Sequence, residues 1–282
     1  MNNQRIDKYE ILTYYRKLGI ELDYKLKNID YFELIQNSQY GFYTWQPIFP
    51  GDKFFYEQLS KSKNNYYEYR LDHKYAVNWI NQDHLVLDIG CGGGLFLAKL
   101  KNEKRYGLEP NKLCHSQLKK EGIEILNNLS ELKYKMDTIT IFHVLEHVSE
   151  PIEFIENILK HLKIGGQLII SVPAMESFIG ADSNSILNAP PHHLTKWTLN
   201  SLSNVFENFN LKVDYKEHLD LEDNDFEAYL QYLITNSLYR KNKFDKFIIR
   251  IINKIIRMKK TSRSKIPFYI PGHNLIIRGI KL

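Results

Sequence analysis

Residues 86–94 read Val-Leu-Asp-Ile-Gly-Cys-Gly-Gly-Gly. An acid, Asp88, stands just before Gly90, and Gly92 and Gly94 follow at alternate positions around Cys91 and Gly93. Glycines at that spacing turn the backbone tightly and let a ligand lie against bare main chain. A carboxylate beside them repels a phosphate and attracts a cation, such as a sulfonium or an ammonium. The dinucleotide pattern G-x-G-x-x-G requires glycine at position 95, where this chain has Leu95; its register fails. A second acid, Glu109, lies nineteen residues after Gly90. That is close to the ~20-residue spacing of a carboxylate at the tip of a second strand, where it accepts both hydroxyl protons of a ribose. The two acids together suit a cofactor that is a nucleoside at one end and a cation at the other.

On these residues the chain resembles the class I S-adenosylmethionine-dependent methyltransferases, Asp88 to Gly94 matching their first motif and Glu109 their second. Beyond the core it is similar to the ubiquinone-methylase-like branch often linked to bacterial surface-glycan synthesis. The segments that carry this are Leu18-Gly19-Ile20, Gly51-Asp52-Lys53-Phe54-Phe55-Tyr56-Glu57-Gln58-Leu59, Tyr66-Tyr67, the run Phe142 to Val148, and Pro191-His192-His193. The resemblance implies S-adenosyl-L-methionine as cofactor. Asp88, Gly90, Cys91, Gly92, Gly94, Glu109, Pro110, Asn128, Leu129, Phe142 and His143 are expected to line its site. It also implies methyl transfer to a small-molecule or glycan acceptor, most readily a hydroxyl of a sugar or lipid-linked precursor. A quinone-type acceptor, a tRNA acceptor, a nicotinamide oxidoreductase and a non-catalytic cofactor-binding module are the competing readings.

Methyl transfer to a hydroxyl needs alignment, exclusion of water and a proton acceptor of near-neutral pKa. Histidines at strand ends therefore stand out: His143, His192 and His193 are the candidate catalytic residues. If residues 143–148 open a helix, His143, Glu146 and His147 share a face. Related quinone O-methylases resemble this with a glutamate at position 143 and magnesium on that face. Magnesium prefers oxygen ligands, so no metal is assigned there and Glu146 and His147 are read as holding the loop. His192 and His193 follow Asn188-Ala189-Pro190-Pro191, in which two prolines fix the backbone. That segment resembles, but is not, the Asn-Pro-Pro-Tyr motif of exocyclic-amine methylases, and no cysteine is placed for attack on a pyrimidine. Nucleic acid is therefore an unexpected partner.

The elements that must position these residues alternate regularly. Strands are expected at 84–90, 105–109, 123–127, 136–142, 167–172, 211–217 and 275–280, with helices near 66–80, 94–101, 111–121, 151–163 and 198–209. This is an α/β class: a doubly wound, seven-stranded Rossmann-like sheet. Residues 1–65 form an N-terminal helical cap or lid, residues 66–282 the methyltransferase domain, and about 219–266 an amphipathic insert before the last strand.

Between residues 240 and 265 lie eleven cations and one acid, so this stretch carries a formal +10 and the remainder −5. The overall +5 therefore describes one segment, not a general affinity for nucleic acid. Phe244, Phe247, Ile248, Ile251, Ile252, Ile255 and Ile256 recur there at helical spacing. A basic amphipathic helix on an anionic membrane surface, over residues 240–260, is one expectation; packing on the core is the other. Residues 1–20 lack the apolar segment of a signal peptide, and no apolar run reaches the ~20 residues of a span. Cys91 and Cys114 form no disulfide framework. These features predict a cytoplasmic protein, with peripheral placement at the inner membrane face if the basic helix docks there.

Overall fold

The computed structural model describes residues 4–23, 25–62, 68–178, 186–222, 225, 229, 232 and 271–282. The N-terminal segment builds β1 (Arg5–Asp7), α1 (Lys8–Lys17), β2 (Tyr31–Gln36), β3 (Tyr43–Gln46) and α2 (Lys53–Ser62). After α3 (Leu71–Val77) come β4 (Val86–Ile89), β5 (Arg105–Leu108), α4 (His115–Lys120), β6 (Glu124–Leu126), β7 (Met136–Phe142), α5 (Pro151–Leu159) and β8 (Leu162–Pro173). The chain ends through β9 (Thr195–Lys196), α6 (Leu199–Asn208), β10 (Leu211–Asp220) and β11 (Pro271–Lys281).

All four residues of β4 are buried, as expected of a central strand covered on both faces. Leu87 and Ile89 join the larger apolar cluster with Ile139, Ile141, Leu168 and Ile170, whereas Val86 joins Ile169 and Ile276 on the opposite face. The period-two alternation thus assigns each strand to both cores. β4 lies parallel to β5 and β7, with Asp88 opposite Gly107 on one side and Thr140 on the other. The seven-stranded order is β10-β11-β8-β7-β4-β5-β6, and β11 runs antiparallel to both neighbours. Strand order reverses at β4, which opens a crevice at the carboxyl ends of β4 and β7. This is the expected seven-stranded, doubly wound sheet.

Several local expectations change. The apolar run 94–101 forms turns and a single 3-10 turn, Leu97–Lys99, not a helix. Phe96, Leu97 and Leu100 all enter the core without helical phasing. The loop therefore lacks the helix N-terminus on which a pyrophosphate would rest. The 66–80 helix shortens to α3, and the helix of 151–163 stops at Leu159 because β8 begins at Leu162. No helix forms over 143–148: His143 adopts φ +54° and only Leu145–His147 make a 3-10 turn.

The N-terminal cap is mixed rather than purely helical. β1, β2, β3 and β9 form a four-stranded antiparallel sheet, so the cap takes one strand from residues 195–196. Phe32, Trp45, Tyr15, Phe55 and Leu59 fill its own core, with Tyr15 and Phe55 edge to face at 5.2 Å. Backbone bonds sew this cap to the main domain: Trp45 N–H to Leu194 O at 2.9 Å, and Gly51 N–H to Pro191 O at 2.8 Å. Most of the expected 219–266 insert, including the basic 240–260 stretch, and Tyr66-Tyr67 lie outside the described residues. Among the described residues, no helix is long and apolar enough to cross a membrane.

Candidate active site

The glycine loop leaves β4 in a conformation that only glycine tolerates easily. Gly90 has φ +74°, and a Cβ there would lie 2.2 Å from Val144 Cγ2. Gly94 has φ +78°, and its Cβ would meet Leu118 and Ile123 at 2.7 Å. Backbone bonds pin the loop to the next strand: Gly90 N–H donates to Leu108 O at 2.7 Å, and Gly92 N–H to Glu109 Oε2 at 2.8 Å. Glu109 Oε1 accepts from Asn111 N–H at 2.7 Å, so both its oxygens face main chain. Burial nevertheless raises the Glu109 carboxyl above its ordinary value.

Asp88 is almost fully buried at the end of β4. Its Oδ1 accepts one bond, from Thr140 Oγ1 at 2.8 Å. Burial, with the nearby charges of Glu109 and Asp72 adding to it, pushes its carboxyl up to about 8. Asp88 and Glu109 therefore form a pair of buried acids at one glycine loop, with no basic side chain bonded to either carboxyl group among the described residues. A ligand that brings positive charge and hydroxyl donors fits such a site; a phosphate does not.

The remaining expected cofactor residues divide. Cys91 turns its thiol into the core against Gly107, where a Cβ would come within 2.6 Å of Sγ. It contributes main chain, and burial pushes its thiol well above the usual range. Pro110 is exposed directly after Glu109. Asn128 and Leu129 stand two strands away from β4, after β6; Asn128 caps its own turn by accepting from Ser130 N–H at 3.0 Å, and Leu129 packs on the main core. Phe142 ends β7 in an aromatic cluster, with His73 and Phe96 edge-on at 4.7 and 4.9 Å.

His143 meets a residue that the sequence did not single out. Asp72, in α3, is fully buried; its Oδ2 accepts from His143 Nε2 at 3.0 Å and from Ser171 Oγ at 2.7 Å. Its Oδ1 accepts from His73 N–H at 2.8 Å. Burial opposes ionisation of Asp72, but these bonds and the imidazole charge hold its carboxyl well below the usual range. On its other side, His143 Nδ1 lies 3.6 Å from Glu146 Oε1. Burial and Arg70 disfavour a charged His143, and the two carboxylates overcome them and raise it. His143 thus lies between two buried carboxylates that favour its charged form.

His192 and His193 do come together, and His147 joins them. The ring centroids of His192 and His193 lie 4.5 Å apart, and those of His147 lie 4.6 and 4.9 Å from them. Burial, then the neighbouring imidazoles, push His193 well below its ordinary value, so the ring is neutral at pH 7. Glu146 sits behind the group, buried, and its Oε1 lies 3.9 Å from His147 Nε2 and 4.0 Å from His193 Nε2. His147 holds the loop as expected: Nδ1–H donates to His192 O at 2.6 Å. The cap supplies Tyr56, whose hydroxyl donates to the same carbonyl at 3.4 Å. Two motif segments far apart in sequence, 51–59 and 188–193, therefore meet over one site.

The Asp88 carboxyl gives a pH signature. Its folded value lies above its unfolded one, so between the ordinary carboxylate range and pH 8 the folded chain holds a proton that the unfolded chain has released. Stability without ligand should then fall as pH rises through this window, by up to ~1.4 kcal/mol per unit. Urea unfolding from pH 5 to 8 should show Asp88→Asn losing much less stability than the parent chain. Parallel profiles would contradict the assignment.

Comparison with known proteins agrees with this geometry. A family described as "Methyltransferase domain" matches residues 62–216. The chain is 32% identical over 99 residues to the tRNA U34 carboxymethyltransferase of Sulfurovum sp. (strain NBC37-1), which covers 30% of this chain and 33% of that one. It is 29% identical over 99 residues to the ubiquinone biosynthesis O-methyltransferase of Proteus mirabilis (strain HI4320), covering 30% of this chain and 40% of that protein. The chain thus spans only 33% and 40% of the length of these two relatives. A solved SAM-dependent methyltransferase from Archaeoglobus fulgidus shares the fold, with TM-score 0.52, 18% identity, and coverage of 82% of this chain and 100% of that one. Because the family match spans more than half of its length, the chain belongs to the methyltransferase-domain family.

Proposed function

We propose that the enzyme methylates a hydroxyl of a sugar, or of the sugar portion of a lipid-linked glycan precursor. When bound, S-adenosylmethionine supplies an electrophilic methyl group on a sulfonium. In this reading Glu109 accepts the ribose hydroxyls, and Asp88 with the Gly90 backbone takes the cationic methionine end. The chain's remaining task is to align the acceptor, exclude water and take its proton. The observation that carries the reading is the meeting of Tyr56, His147, His192 and His193 over buried Glu146. An aromatic edge beside imidazoles and a carboxylate suits a small, hydroxyl-rich acceptor. His193, neutral and buried, is the proton acceptor, and His192 shares its loop. The Asp72–His143–Glu146 chain fixes the floor beneath them.

The test is methyl transfer from labelled S-adenosylmethionine to three acceptor panels: sugar nucleotides with lipid-linked saccharides, demethylated quinone precursors, and bulk tRNA. Label on a sugar hydroxyl is expected; label confined to tRNA or a quinol overturns the glycan reading. With the active acceptor, alanine at His193 should lower kcat by ~10²–10⁴-fold with cofactor affinity unchanged. Glu109→Ala should instead weaken cofactor binding at least tenfold, since a lost charged hydrogen bond costs ~1.5–3 kcal/mol.

We further infer that the basic stretch 240–260 docks on an anionic membrane surface and brings the site to a lipid-linked acceptor. The support is its charge and isoleucine spacing in the sequence. Each cation near such a surface is worth ~1 kcal/mol. Sedimentation with anionic vesicles should capture the protein at low salt and release it as salt rises, with neutral vesicles capturing little. No capture by anionic vesicles at low salt would refute the docking.

A further inference from the structure

We propose that His147, His192 and His193, with Glu146 beside them, bind a divalent transition-metal ion of the zinc class. This deepens the reading above, and rests on it for the role of the site but not for the presence of the ion. One ring nitrogen from each of the three histidines lies within 4.8 Å of those of the other two. They come from two loops, the turn after β7 and the Pro190–His193 segment, joined by Leu194 N–H to Glu146 O at 2.7 Å. The donors are thus carried on a stitched frame rather than on separate mobile chains.

The tautomers point the same way. His147 Nδ1 lies 2.6 Å from His192 O, and His192 Nδ1 lies 3.0 Å from Leu187 O. A carbonyl only accepts, so in both rings Nδ1 carries the hydrogen and Nε2 is left as the electron-pair donor. A backbone carbonyl on the second ring nitrogen is the arrangement that orients metal-ligating histidines. Glu146 adds a carboxylate that the protein does not satisfy. It is 2% exposed, yet its Oε2 has no hydrogen-bond partner among the described residues. Its Oε1 lies 3.9 and 4.0 Å from the Nε2 atoms of His147 and His193, too far for hydrogen bonds.

A tetrahedral zinc site with ~2.0–2.1 Å bonds sets its nitrogens about 3.3 Å apart. From separations of up to 4.8 Å the donors would need to close by up to ~1.5 Å on binding the ion. The donors are mainly nitrogen, which selects zinc, cobalt or nickel over magnesium. The set also differs from the 143/146/147 face considered from sequence, because Asp72 draws His143 away. Three imidazoles leave a fourth position for an acceptor oxygen, whose hydroxyl would lose its proton more readily there; with the ion bound, His193 is a ligand and the Glu146 carboxylate beside it takes that proton instead.

The test uses tag-free, full-length protein stripped with chelator and dialysed against zinc chloride, with metal content measured by elemental analysis. One equivalent of zinc is expected to remain, and cobalt(II) should give visible absorption bands that zinc bleaches. His147→Gln and His193→Gln, checked for folding by circular dichroism, should each bind cobalt at least tenfold more weakly. Glu109→Ala should lose cofactor affinity and keep its metal, which separates this proposal from the methyltransferase reading. Less than a tenth of an equivalent of zinc on the parent protein, with no cobalt bands, would overturn the proposal. So would cobalt binding of parental strength in the folded histidine variants. Stoichiometric metal whose removal leaves methyl transfer unchanged would uphold the site and reject only its link to the acceptor.

Discussion

A buried carboxylate is costly unless hydrogen bonds or an opposite charge replace the water it loses. Four carboxylates are buried among the described residues, Asp72, Asp88, Glu109 and Glu146; Asp88 feels the charges of Glu109 and Asp72, and Asp72 reaches Glu146 through His143. They are compensated unequally. Asp72 has an imidazole, a hydroxyl and a backbone amide. Glu109 has two backbone amides, which at the same time hold the glycine loop in place. Asp88 has one threonine hydroxyl, and Glu146 has imidazoles mostly beyond hydrogen-bond range with one oxygen unsatisfied. The well-compensated acids are structural anchors. Asp88 is the under-compensated one, its carboxyl pushed up to about 8, whereas the imidazoles of His143 and His147 hold Glu146 below its ordinary value despite burial; in the proposed reading the positive end of the cofactor meets Asp88 and an ion meets Glu146.

The sheet provides the reason that these acids lie close together. Asp88 and Thr140 are register partners on adjacent parallel strands, so the acid's single donor is fixed by the ladder itself. His143 follows β7 directly and bends back in the left-handed region, a conformation that a non-glycine residue adopts only under constraint. Here the constraint is visible: Asp72 and Glu146 grip the ring from both sides. The cap then seats Tyr56 and the Gly51 amide on the histidine loop, so the acceptor side is assembled from segments more than a hundred residues apart.

What the sequence made legible was local. The glycine spacing and the distance to Glu109 predicted a tight loop beside a second acid, and the Gly92 to Glu109 bond joins the two, because both are short-range patterns. The run 94–101 misled because apolar residues at helical spacing also serve a turn whose side chains enter the core separately. The cap sheet was missed although Phe32 and Leu34 alternate with exposed neighbours, since tyrosines and turn residues mask so short a period. The Asp72–His143 pair spans 71 residues and the His147–His192 contact spans 45. No local pattern encodes either. The one local signal available for the buried acid is that Asp72 lies four residues before apolar Ala76, on the same face of α3, and both are buried.

If Asp88 is an acid waiting for a cation, binding should expel its proton. Calorimetry of S-adenosylmethionine binding near pH 7, repeated in buffers of different ionisation enthalpy, measures that proton directly. The account predicts close to one proton released per cofactor bound, and little release in Asp88→Asn. Binding without proton release, or the same release in the variant, would contradict it.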